Sequence, residues 1–105
     1  MVGVAIGAAL LASVGAWSGV GAQSEVDVPV EAFAFPQTIS VPVGTTVVWV
    51  NHDPVAHTVT DVSQAWDSGL FDNSATFAKT FTEPGTYTYY CVPHPTMIGT
   101  IEVTQ

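Results

Sequence analysis

The only cysteine of the chain, Cys91, is followed three residues later by His94 and three after that by Met97. They lie in the run Tyr89-Tyr90-Cys91-Val92-Pro93-His94-Pro95-Thr96-Met97-Ile98-Gly99. Thiolate, imidazole and thioether are all ligands for a soft or borderline metal, copper above all. A loop with two tight bends can turn side chains at i, i+3 and i+6 toward one point. Pro93 and Pro95 restrict φ on either side of His94, so such a loop is stiff before any metal arrives. Three ligands leave the set incomplete, and a second histidine must come from elsewhere. His57, in Val55-Ala56-His57-Thr58-Val59-Thr60, is the better placed of the two remaining. His52 is followed by Asp53-Pro54 and reads as a surface turn residue.

Each of these residues has an ordinary explanation on its own. A lone cysteine is usually a small buried hydrophobe, a lone methionine core filler, and a lone histidine a surface group. Four of them in this order, three inside the seven residues 91–97, are not explained that way. Two histidines, a cysteine and a weak axial methionine form the blue-copper electron-transfer set.

The elements that must position these groups read as all β. A length of 105 residues suits one small domain, here 23–105 after an export segment at 1–22. Residues 2–22 carry no charge, and Val20-Gly21-Ala22 is cleavage-like, so the expectation is a signal peptide with a mature start near Gln23. One departure from that pattern is the missing positive start, and the rival is an uncleaved membrane anchor, because the run is just long enough to span a bilayer. The expected location is therefore the periplasm or the outer face of the cytoplasmic membrane. A single cysteine makes no internal disulfide, and metal ligation is a reason for an odd one in an exported chain. Nine acids against Lys79 give a net charge of −8, which argues against nucleic acid and for basic partners or high salt.

Along the chain, Val26 to Glu31 alternates apolar and polar, with Pro29 pointing to an edge strand. Phe33 and Phe35 continue at a period of two. Thr38 to Val41 is a short strand ended by a type I turn at Val41-Pro42-Val43-Gly44, and Thr45 to Val50 is a buried strand carrying Trp49. His57-Thr58-Val59-Thr60 starts another. Trp66, Leu70 and Phe71 are expected to pack over a loop. Ala75 to Phe81 alternates, although Phe77, Lys79 and Phe81 share one parity unless a bulge intervenes. Glu83-Pro84-Gly85 suits a type II turn. Thr86 to Cys91 and Ile98 to Val103 are the last strands, with the ligand loop between them. Seven or so short strands with turn signals predict a two-sheet Greek-key sandwich.

In order, Phe33-Ala34-Phe35, Val41-Pro42-Val43-Gly44-Thr45, Trp49-Val50-Asn51, Ala56-His57-Thr58-Val59, Glu83-Pro84-Gly85-Thr86-Tyr87 and the Cys91–Met97 loop resemble the cupredoxins. The likeness is to the plastocyanin, amicyanin and halocyanin-like group, and the loop is nearest the short amicyanin type. This resemblance implies a mononuclear type 1 copper held by His57, Cys91 and His94, with Met97 as a long axial bond. It implies a one-electron carrier that is no enzyme, docking its redox partners near His94 as a monomer whose mature domain stays out of the membrane. A copper-delivery protein without redox work is the alternative. Thr58 stands where plastocyanins often have the asparagine that ties the two ligand segments together. Tyr90 matches their aromatic residue before the cysteine, a second electron route there. Pro93 lacks an N–H to give the Cys91 sulfur, which leaves more charge on sulfur and lowers the reduction potential.

Overall fold

The computed structural model describes residues 24–105; the expected export segment and its cleavage site lie outside them. Seven strands form: β1 (Glu25–Val30), β2 (Thr38–Pro42), β3 (Thr46–Asn51), β4 (Thr60–Asp61), β5 (Thr76–Thr80), β6 (Gly85–Cys91) and β7 (His94–Thr104). They make a three-stranded sheet in the order β1-β3-β5 and a four-stranded sheet in the order β2-β7-β6-β4. Each sheet is mixed, since β1 runs parallel to β3 and β2 parallel to β7. The all-β sandwich expected from the strand pattern is the observed class. Pro29 sits on β1 at a sheet edge, where a missing N–H costs least.

Parity explains which side chains enter the core. Val28 and Val30 of β1, Val47 and Trp49 of β3, Tyr89 and Cys91 of β6, and Met97, Ile101 and Val103 of β7 are all buried. Alternate residues of a strand share one face. The thiol of Cys91 and the thioether of Met97 are therefore core-facing groups at the end of the sandwich. An aromatic slab fills the middle. Trp49 stacks on Phe77 and meets Tyr89 edge-on, with ring centroids 5.7 and 5.3 Å apart. Gly99 pairs with Tyr89 across β6 and β7, and a Cβ there would lie 2.5–2.8 Å from the phenol. Only glycine lets that ring lie flat against the neighbouring strand.

Several local expectations are corrected. Phe33 is not in a strand: Glu31 and Ala34 bridge across a two-residue turn, with Ala32 and Phe33 at φ +55° and +56°. The turn after β2 lies one residue later than expected. Thr45 N–H donates to Pro42 O at 3.2 Å and Gly44 has φ +93°, which makes it type II with glycine in third place. Gly85 has φ +153°, far from the value near +80° of a type II turn. Leu70 does not pack inward; it is 68% exposed, while Phe71 is buried and Trp66 half-buried. No bulge rescues the parity of β5. Phe77 and Lys79 pair regularly with Trp49 and Val47, and the Lys79 ammonium lies 5.2 Å from the Trp66 ring centroid and 5.4 Å from that of Phe81. A long stem covering apolar surface beneath a cation–π contact puts the lysine on the aromatic face at little cost.

Candidate metal centre

The ligand stretch is a hairpin rather than an open loop. Val92 and Pro93 form the turn, Cys91 pairs with His94, and β7 begins at His94 itself. Between the Tyr90–Ile98 and Cys91–His94 pairs the register shifts, so Pro95, Thr96 and Met97 have no partners on β6. This irregularity lets His94 turn back toward Cys91 while Met97 rejoins the inward face.

His57 arrives from the other side. Its backbone exchanges two hydrogen bonds with Phe71, at 3.2 and 3.0 Å. The segment leading to it is organised by Asn51 at the end of β3. That buried amide donates to Val55 O at 2.9 Å and Phe71 O at 3.0 Å, and its oxygen accepts the Asp53 N–H at 2.9 Å. Of the four residues singled out from sequence, His57, Cys91 and His94 place their donor atoms within 4.8 Å of one another. The fourth, Met97, is buried three residues beyond His94. His52 is exposed and lies outside the cluster.

The donor geometry suits a metal. Cys91 Sγ is 3.5 Å from His57 Nδ1 and 3.6 Å from His94 Nδ1. Metal–sulfur and metal–nitrogen bonds of about 2.3 and 2.0–2.1 Å, at trigonal to tetrahedral angles, separate sulfur and nitrogen by about 3.5–3.8 Å. The far nitrogen of His57 is already engaged, since Asp53 Oδ2 accepts from Nε2 at 2.8 Å. A carboxylate only accepts, so the neutral imidazole keeps its proton there and points the Nδ1 lone pair at the thiol.

Two further groups stabilise the arrangement. Thr58 N–H donates to Cys91 Sγ at 3.4 Å, and Val92 N–H donates to Thr58 Oγ1 at 2.9 Å. The threonine thus makes the tie between ligand segments that an asparagine often makes in plastocyanins. Its hydroxyl continues to Thr60 Oγ1 at 2.9 Å, which donates to Asp67 Oδ1 at 2.7 Å. Because the carboxylate can only accept, the chain runs in one direction, from Val92 N–H to Asp67.

Asp53 and Phe33 are the site residues that sequence reasoning missed. Asp53 accepts from Ala32 N–H at 2.8 Å and Phe33 N–H at 2.9 Å as well as from His57. Desolvation pushes its carboxyl up, but the hydrogen bonds from Phe33, His57 and Ala32 outweigh it and hold the carboxyl below its usual range. The Phe33 ring stands edge-on to His57 and His94 at 5.2 and 4.9 Å. An acid four residues before a candidate ligand was the available signal for Asp53; nothing local marked Phe33. Tyr90 is half-buried in the four-stranded sheet, opposite Thr60 and Ile98.

Residues 22–104 match the family of copper-binding proteins described as plastocyanin/azurin. The chain is 35% identical over 83 residues to amicyanin from Paracoccus denitrificans, covering 74% of this chain and 63% of that protein. It is 29% identical over 85 residues to amicyanin-alpha from Methylorubrum extorquens, covering 76% and 71%. The chain thus spans a little under two thirds of the Paracoccus relative. Among solved structures, a methionine-to-alanine mutant of amicyanin in the Cu(I) form aligns with a TM-score of 0.71 at 30% identity, over 75% of this chain and 81% of that one. A purple cupredoxin from Nitrosopumilus maritimus aligns with a TM-score of 0.69 at 30% identity, over 75% and 99%. The chain belongs to the plastocyanin/azurin family, and its cofactor is copper.

Proposed function

We propose that this family member carries single electrons between redox proteins, with one copper that His57 Nδ1, Cys91 Sγ, His94 Nδ1 and Met97 would hold. The observation that carries this reading is the meeting of three donor atoms within 4.8 Å, two of them from fully buried residues. Copper when bound supplies the one-electron Cu(II)/Cu(I) couple. Everything else falls to the chain. The end of β6 and the Thr58 N–H fix Cys91, Asp53 fixes the His57 ring, and the Thr58 hydroxyl fixes the hairpin between Cys91 and His94. Donors held this way move little when their charge environment changes, which keeps electron exchange fast.

His94 is half-buried, and beside it Phe33 and Val92 are exposed. Electrons enter and leave through this apolar patch, against which a partner docks briefly. The acidic body of the domain steers a basic partner from a distance. Held by these four residues, a copper would offer no open position to a substrate, which fits a carrier and not an enzyme. We read the uncharged 1–22 segment as export to the periplasm or the outer membrane face, as a signal peptide or an anchor, with the domain acting as a monomer.

The test is to add Cu(II) to residues 23–105 and record the visible absorption beside a Cys91→Ser control. An intense blue band, lost in the control and bleached reversibly by ascorbate, is expected. A colourless complex would overturn the ligand assignment and favour copper delivery.

A further inference from the structure

The turn at Ala32-Phe33 is closed by two backbone hydrogen bonds between Glu31 and Ala34, at 3.3 and 3.1 Å, but its two central residues disfavour it. Neither residue is glycine or asparagine, yet both sit in the left-handed region, at φ +55° and +56°. Residues with a Cβ are strained in that region. The group that engages its two central amides is remote in sequence: Asp53 Oδ1 accepts from Ala32 N–H and Oδ2 from Phe33 N–H. The same Oδ2 accepts from His57 Nε2 at 2.8 Å. As a consequence of the turn, the Phe33 ring stands at 89° to both imidazoles and covers them from the solvent side, itself 47% exposed.

The geometry points to Asp53 as a positioning residue for the metal centre, fixing the tautomer of the inner histidine and holding Phe33 as a cap over both histidines. This rests on the ligand assignment proposed above. A carboxylate is the group that serves. Asparagine has one acceptor oxygen, and its NH₂ would face the Ala32 N–H. Glutamate keeps both acceptors on a longer stem. The coupling has a direct meaning for an electron carrier: the exposed cap and the buried ligand cannot move independently, so a partner touching Phe33 meets a surface braced against His57.

The test uses the full chain as wild type, Asp53→Asn, Asp53→Glu, Phe33→Ala and the double variant Asp53→Asn/Ala32→Gly. Nitrogen NMR on the metal-free proteins reads the His57 tautomer, and amide exchange reads the turn. Copper-loaded samples give the visible and EPR spectra and the rate of copper loss to a chelator. Wild type is expected to show only the Nε2–H tautomer and slow exchange at Ala32 and Phe33. Asp53→Asn should mix the tautomers, expose both amides, alter the EPR spectrum and speed copper loss about 10–100-fold. Asp53→Glu should recover part of each. Adding Ala32→Gly to Asp53→Asn should recover part of the copper retention, because the turn then forms without its clamp, while the tautomers stay mixed. Phe33→Ala should keep the single tautomer and still lose copper faster than wild type.

An Nδ1–H tautomer in wild type, or an Asp53→Asn protein matching wild type in tautomer and copper loss, would overturn the inference. Should Asp53→Asn not fold, the wild-type tautomer and the Phe33→Ala rate decide it, an unchanged rate removing the cap. A wild type without the blue band fails the ligand assignment instead, so the two failures stay distinct.

Discussion

The metal end and the aromatic middle of the sandwich are built on opposite terms. At the metal end the buried polar side chains of Asn51, Asp53, His57, Thr58 and Thr60 all have hydrogen-bond partners, most of them from another segment of the chain. In the middle, Trp49 and Tyr89 are fully buried, yet Trp49 Nε1 and the Tyr89 hydroxyl find no hydrogen-bond partner among the described residues. One region uses directional bonds to hold atoms in place, and the other uses apolar area and ring packing to keep the domain folded. The two jobs should therefore separate under mutation.

The largest effect should come from the middle. Trp49→Ala removes the ring that meets Phe77, Phe81, Trp66 and Tyr89, and should cost about 3–5 kcal/mol in denaturant unfolding of the metal-free protein. Whatever remains folded should take up copper with an unchanged spectrum. A spectrum changed along with the stability would break the separation.

The alkaline limb of stability is the next measure. Burial pushes the Tyr89 phenol up to about 12 from 10.0. Below pH 10 both folded and unfolded chains keep the proton, and the contribution is fully present. Between about 10 and 12 only the unfolded chain releases it, so stability falls, by about 2–3 kcal/mol across that window. Tyr89→Phe should lose this part of the slope and stay as stable as wild type at neutral pH, because the hydroxyl removed was unpartnered. Equal slopes in the two proteins would show that the phenol is solvated.

At the metal end, Thr58→Val leaves the Val92 N–H without its acceptor and should cost about 1–2 kcal/mol. Its signature is spectroscopic as well: the hairpin loosens, and the thiolate band should shift, whereas Thr58→Ser restores both. A stability loss with an unmoved band would mean that the hydroxyl supports the fold and not the site.

How far sequence reasoning reached follows the same division. Cys91, His94 and Met97 stand out because their chemistry is rare and their spacing local, and alternation along β1, β3, β6 and β7 is enough to predict a sandwich. The supports of the site are non-local. Ala32 and Phe33 carry no turn residue, so two phenylalanines spaced by two read as a strand; the carboxylate that bends them lies 20 and 21 residues away. The ligand stretch read as a loop because a register shift inside one hairpin leaves no mark in residue types. Lys79 defeated simple parity because its head finds aromatic rings 5.2 and 5.4 Å away that only the fold supplies.

The smallest effect is the most specific to the metal end. Cys91 Sγ receives one backbone hydrogen bond, from Thr58 at 3.4 Å, and the turn residue two positions beyond it is Pro93, which has no N–H to add. Pro93→Ala introduces that donor in a hairpin already closed by the Cys91–His94 pair. A second bond draws charge from the thiolate, weakens its donation to copper and favours the reduced state, so the potential should rise. A net hydrogen bond is worth about 1 kcal/mol, and only the part that differs between oxidation states reaches the potential. Voltammetry of the two copper-loaded proteins reads that difference directly, and unfolding of the metal-free pair should scarcely change. A potential that falls, or does not move, would mean that the sulfur's charge is set by Thr58 and burial alone, and that the hairpin turn shapes the site without tuning it.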